Sequence, residues 1–450
     1  MHDLLLTGTI VTPAALLPDG WVAIDSGRIA RLGQGPAPAA RRVVEYGPDL
    51  ILPGGIDAQV HSRSQQGQED FLWTTRAAAA GGITTIADMP YDAGFLVCTA
   101  DRLRQKAAEA AGQARVDFAL WGTIAPDDGP AHIPDMARAG ACGFKFSTFG
   151  TDPERFPRIP ADLLARCFEA VAQTGLIAGV HNEDDAMVRA RLDAVARAGI
   201  TDWRAHGLSR PPLSETLAMA QIYETAAATG CSAHVVHCSV ARGYALCAAY
   251  RQQGFDTTAE ACIHYLVLDE ENDVARLGGR AKVNPPIRPR AEVEGLWAHL
   301  AAGNVTIVST DHVSWSLSRK SAPAMLDNAS GAPSLELLYP LFLTELSRRS
   351  LPLSLAARLL AKNPARLFRI AGRKGALAPG RDADIAIARR QDWTYDPQAS
   401  PHSIAGWSPY AGRPLDWRIA ATWLRGECIF DGTQVTAEPG HGRFVTPDQS

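Results

Sequence analysis

From Ile51 to about Ile370, short apolar runs alternate with Ala- and Leu-rich helical stretches, and that rhythm leaves the chain few folds to choose from. Residues 84–89 read as a strand followed by a helix near 99–112, and residues 176–180 as a strand followed by a helix near 183–198. Strand–helix alternation of this length predicts a closed parallel (β/α)8 barrel of the TIM type, the α/β class. Such barrels display chemistry at the C-terminal ends of several strands. Five segments in order end a β-type run with a residue able to hold a metal ion. They are Asp57-Ala58-Gln59-Val60-His61, Gly143-Phe144-Lys145-Phe146, Val180-His181-Asn182-Glu183, Val235-Val236-His237-Cys238-Ser239 and Ser309-Thr310-Asp311-His312. One such run carries little weight, but five across one barrel's length predict a metal-dependent hydrolase.

Both ends differ from the middle. Residues 1–50 alternate apolar and polar positions around turns such as Asp25-Ser26-Gly27, a β-meander, and strand character returns after Gly372. The expected organisation is a small β-sandwich domain built from 1–50 and 372–450, beside a hydrolase barrel at 51–371. The last ten residues read as a loose tail. With 46% hydrophobic and 20% charged residues, the 450-residue chain can bury a large core. A net charge of −4 without basic blocks argues against nucleic acid or a polybasic membrane patch. No apolar run of about 18 residues predicts a membrane span. The eight cysteines contain no C-x-x-C pair and are expected as reduced thiols, which places the protein in the cytoplasm.

The motifs resemble the amidohydrolase superfamily, in its cyclic-amidase branch of dihydroorotases, hydantoinases and allantoinases. The opening signature is Pro53-Gly54-Gly55-Ile56-Asp57-Ala58-Gln59-Val60-His61, then 77–85. Asn363-Pro364-Ala365-Arg366 and Gly380-Arg381-Asp382-Ala383-Asp384 close it. Residues 116–122 and the Phe156-Pro157 pair after Lys145 look most like allantoinases, whereas 282–288 is as close to dihydroorotases. The implied reaction is ring opening of a cyclic amide or ureide by metal-activated water. Dihydroorotase, hydantoinase, lactone or cyclic-imide activity stand as alternatives, as does a non-catalytic scaffold with a degraded metal site.

The resemblance assigns Lys145 as the lysine carboxylated by carbon dioxide, which bridges metal ions. His181 and His237 match ligands of the second ion, and His61 a ligand of the first. Asp311 matches the carboxylate that binds the first ion and acts as general base. The implied cofactor is one or two divalent ions, zinc first, with manganese or cobalt as alternatives. Gln59 departs from the family's His-x-His pair. Strand alternation puts residues 59 and 61 on one face. A glutamine there either ligates through its amide oxygen or leaves the first site weak. His264 and His234 are expected to pack, and His312 to orient its neighbour.

On the substrate side, Arg63 lies where dihydroorotases hold a carboxylate, although an ion pair with Glu69 or Asp70 is as compatible with its position. Asn284 matches a position facing the ring in relatives, and Thr151 stands in for a hydantoinase tyrosine that is Gly150 here. Residues 313–332, rich in Ser, Ala, Gly and Pro, predict a mobile lid carrying Trp315, which either stacks on a planar ring or anchors the loop. The expected partners are a small cyclic substrate and further copies of the chain, as a dimer or tetramer.

Overall fold

The computed structural model describes residues 1–67, 69–152, 157–400 and 402–448, so Phe156 of the Phe156-Pro157 pair lies outside the described residues. The middle of the chain forms eight parallel strands: Gly55–His61, Ile83–Asp88, Asp117–Gly122, Gly143–Ser147, Ile177–His181, Ser232–Val235, Thr257–Cys262 and Ile307–Ser309. They hydrogen-bond in chain order. The eighth stops at Ser309, and its continuation His312–Val313 pairs with Val60 and His61 of the first, which closes the ring. The helices expected near 99–112 and 183–198 are Ala100–Ala111 and Asp185–Arg197, capped by Thr99 and Asp184 side chains.

The barrel is solid below its mouth. Trp121, Ile56, Ala87, Met89, Ile177, Ile307 and Phe368 form one buried cluster. Two glycines make room for the Trp121 ring: a Cβ on Gly143 would lie 2.8 Å from it and one on Gly179 2.9 Å. The indole N–H donates to the Ala58 carbonyl (3.1 Å), which ties the third strand to the first at the residue before Gln59.

Both chain ends build a second sheet of seven strands. The run Ile385–Thr394 pairs antiparallel with Ala40–Pro53, Ile385 opposite Pro53, and so joins the late strands to the early meander. Leu4, Leu6, Ile24, Ile51, Ile385, Ile387 and Trp423 fill its core. At the junction with the barrel, Lys374 Nζ lies 2.5 Å from Asp117, 3.0 Å from Asp382 and 2.7 Å from Asp384, and Arg425 also pairs with Asp117. Asp117, Asp382 and Asp384 are clustered acids that would otherwise suit a cation, and Lys374, Arg425 and Arg373 already pair with them. The closing motif Gly380–Asp384 thus works as a structural clamp. No helix among the described residues is long and apolar enough to cross a membrane.

The tail is not loose. Val445 N–H donates to Phe118 (2.8 Å), the Phe444 ring stacks on Phe118 (5.6 Å between centroids), and Asp448 accepts from Gly372. Apolar side chains and backbone pairing hold 443–448 against the barrel, which composition alone did not reveal.

Candidate metal centre

All six expected ligands, Gln59, His61, Lys145, His181, His237 and Asp311, line one cavity of about 720 Å³ at the C-terminal mouth of the barrel. Two of them sit on strained backbone. His237 (φ 43°) and Asp311 (φ 49°) adopt the left-handed region, which costs non-glycine residues about 1–3 kcal/mol each. Buried carboxylates hold both turns in place. Asp57 accepts from Thr310 N (3.2 Å) and Thr310 Oγ1 (2.6 Å), and Glu260 accepts from His237 N (3.2 Å). Asp57 was visible in the sequence only as part of a motif, and Glu260 carried no signal. Both act by forcing a strand end to turn so that its ligand faces the cavity.

The donors form two groups. His181 Nδ1 and His237 Nε2 are 3.0 Å apart. Burial lowers the pKa of both rings, that of His237 well below the ordinary value, so they are held as neutral imidazoles, the ligating form. Glu183 fixes His181 from behind, Oε2 accepting from Nε2 at 2.8 Å, and Arg210 pairs with the same oxygen at 2.5 Å. A carboxylate behind a ligand imidazole sets its tautomer and direction. The second group joins Gln59, His61 and Asp311: Gln59 Nε2 donates to Asp311 Oδ1 (2.8 Å), and His61 Nε2 lies 3.3 Å from the same oxygen.

Lys145 acts on both groups electrostatically. It is 1% exposed, its Nζ donates to Phe146 O (3.0 Å), and burial pulls its pKa down to about 7. A free amine at neutral pH is what capture of carbon dioxide requires. Tyr91 and Thr123 hydroxyls donate to the Lys145 carbonyl and hold its strand end. Neutral imidazoles, an amine able to form a carbamate and a carboxylate make a donor set that fits a divalent ion.

The substrate side departs further from expectation. Arg63 does not line the cavity. It pairs with Glu109 (2.7 Å) and Asp92 (3.9 Å) over the Phe71 ring, neither of which is the expected Glu69 or Asp70. These acids hold it away from the cavity lining. His312 does not orient Asp311 either. Its Nδ1 accepts from Ser334 and Leu335 N–H, and its Nε2 faces Glu69 at 3.2 Å. Thr151, Asn284 and Trp315 do line the cavity, together with Phe149, His206, Arg210, Lys282 and Arg319, which sequence reasoning left without a role. Trp315 also anchors its loop, donating from Nε1 to Ser330 O (2.7 Å).

The 313–332 segment is stapled, which runs against a freely mobile lid. Lys320, 2% exposed, donates to the carbonyls of Lys282, Ala329 and Gly331 (2.6–2.8 Å), and Lys282 donates to Leu326 and Asn328. One buried Nζ thus joins three backbone carbonyls of the segment and its neighbour. Lys320→Met removes all three bonds. Steady-state kinetics are expected to show KM up about tenfold or more with kcat less affected, the pattern of lost uniform binding.

Comparison with known proteins gives a consistent result. Residues 50–408 match the sequence profile described as the Amidohydrolase family. The chain is 37% identical to an allantoinase of Rubrobacter xylanophilus over 464 residues, covering 99% of this chain and 98% of that one. It is 35% identical to an allantoinase of Streptomyces avermitilis over 450 residues (97% and 98%). Among solved structures, an L-hydantoinase from Arthrobacter aurescens superposes with a TM-score of 0.95 at 28% identity, covering 99% of this chain and all of that one (100%).

Proposed function

The chain belongs to the amidohydrolase family, and from that premise we propose that it opens a cyclic ureide of the allantoin type by hydrolysing a ring C–N bond. The observation that carries this is the convergence of six strand-end donors on one cavity, joined to full-length likeness to allantoinases. Lys145 as its carbamate, with His181 and His237, would hold a metal, zinc first, and His61 and Asp311 stand beside that position. When bound, a divalent ion polarises the carbonyl and brings the pKa of a water toward about 7.

The protein's own residues do the rest. Asp311, 8% exposed at the cavity floor, takes a proton from the attacking water and delivers it to the leaving ring nitrogen. Glu183 and the Arg210 guanidinium keep His181 turned to the ion. Thr151 and Asn284 line the wall where the ring's polar edge would lie, and Trp315 closes one side. Arg63, spent on Glu109 and Asp92, weighs against a dihydroorotate-type carboxylate contact at that position. The reading extends to a cytoplasmic homo-oligomer, a dimer or tetramer, with the thiols reduced. The cysteines are free, and all but one are buried.

The test is a panel of allantoin, hydantoins, dihydroorotate, cyclic imides and lactones, presented to metal-loaded protein with proton release followed by an indicator dye. Allantoin or a close ureide is expected to be opened fastest. Loaded protein that opens none of these rings overturns the reading.

A further inference from the structure

We propose that this chain works with one divalent ion, held by His181, His237 and Lys145, and that the Gln59 amide stands where a second ion would otherwise anchor Asp311. The inference rests on the metal-dependent reading above and deepens it.

It starts from residue 59. Gln59 is 2% exposed and shares a face with His61 by strand alternation. Its Nε2 donates to Asp311 Oδ1 at 2.8 Å, and His61 Nε2 approaches that oxygen at 3.3 Å. Gln59 and His61, which would converge with Asp311 on a cation, instead both face its carboxylate oxygen. An amide NH2 carries two protons and no lone pair to offer a metal. A proton donor and a cation cannot both occupy that side of Oδ1.

The reverse amide orientation would set Gln59 Oε1 against Asp311 Oδ1, two oxygens whose repulsion only an intervening cation relieves. Amide direction and ion count are therefore one choice. Ligand strength favours the single ion. A neutral carboxamide oxygen is a harder and weaker donor than imidazole for zinc-like ions, so besides any share of the Lys145 carbamate the first position keeps only His61 and a carboxylate already engaged. The second position keeps two neutral imidazoles 3.0 Å apart and the Lys145 carbamate. Three protein donors are the number a catalytic ion holds while leaving one coordination position open. Gln59 Oε1 is buried without a hydrogen-bond partner among the described residues. In this arrangement it accepts from the ring N–H or the attacking water.

Gln59 is thus a positioning residue for Asp311, and its test is a count of ions. Wild type, Q59H and Q59L are loaded with excess Mn²⁺ or Co²⁺, desalted and analysed by elemental mass spectrometry and electron paramagnetic resonance. Wild type is expected to retain one ion per chain with an uncoupled signal. Q59H should retain two, with exchange coupling between them. Q59L should still retain one while kcat falls about 10–100-fold, as when a group orienting the metal-site machinery is lost. Two ions in wild type, or an ion lost from Q59L relative to wild type, overturns the proposal. No retained ion in any variant overturns the metal-dependent reading itself. If Q59H fails to fold, the wild-type count and Q59L still decide.

Discussion

Lys145→Ala is expected to lose its metal and to lower kcat/KM by on the order of a thousandfold or more, since the ion supplies both the polarised carbonyl and the activated water. The side chain is fully enclosed, at 1% exposure, so truncation opens a void beside His181, His237 and Asp311. Acetate or propionate at high concentration should enter that void, restore part of the bound metal and raise activity over the untreated variant. A loss of activity with metal content unchanged would place Lys145 outside the centre. Wild type offers a companion measurement. Burial lowers the amine's pKa to about 7. Below that value the group is protonated and cannot take up carbon dioxide; above it the neutral form dominates. Reactivation of stripped protein by bicarbonate and metal should therefore speed up as pH rises through about 7 and level off above it.

The second large effect lies far from the chemistry. Lys374→Met leaves Asp117, Asp382 and Asp384 buried at the seam between barrel and end sheet, with Arg425 beside Asp117 and Arg373 beside Asp382 but no cation shared among all three. Removing one partner of a buried ionic cluster costs about 3–5 kcal/mol. Thermal or denaturant unfolding is expected to show that loss at neutral pH. The sign with pH follows from the acids. Burial already raises the Asp384 pKa, and Lys374 is the main group lowering it. Without the lysine, the folded-state Asp384 pKa rises further above that of the unfolded chain. The variant's deficit should then shrink as pH falls through it and that carboxyl takes up a proton. A variant as stable as wild type at pH 7 would mean that the cluster contributes nothing to holding the two units together. Lys374→Arg, which keeps the charge, should recover part of the loss.

Much of this protein was legible before any coordinates. The barrel followed from strand–helix alternation and five metal-capable segments from strand ends, and the resemblance assigned the six candidate ligands among them. Both signals are local: a strand's two-residue period fixes which side chains share a face, and its C-terminal end in a barrel fixes which mouth they serve. The departure at Gln59 was legible only against the resemblance, with strand alternation placing it on the face of His61. Composition misled at two places. A tail of mixed polarity looked loose, yet Phe444, Val445 and Asp448 find partners at Phe118 and Gly372. The Ser-, Ala- and Gly-rich 313–332 segment looked mobile, yet Lys320 and Lys282 bind its carbonyls.

Sequence alone therefore determined which residues share a strand face and which mouth of the barrel the strand ends serve, because both follow from backbone periodicity, while the resemblance supplied the candidate ligands. Tertiary structure decided where each long or charged side chain spends its charge: Arg63 on Glu109 rather than on a substrate, Arg210 and Glu183 on His181, His312 on Glu69, Gln59 on Asp311. A guanidinium, imidazole or amide bonds to whichever complementary group the fold brings within about 3 Å. Those neighbours lie up to 252 positions away along the chain, where no local pattern can name them.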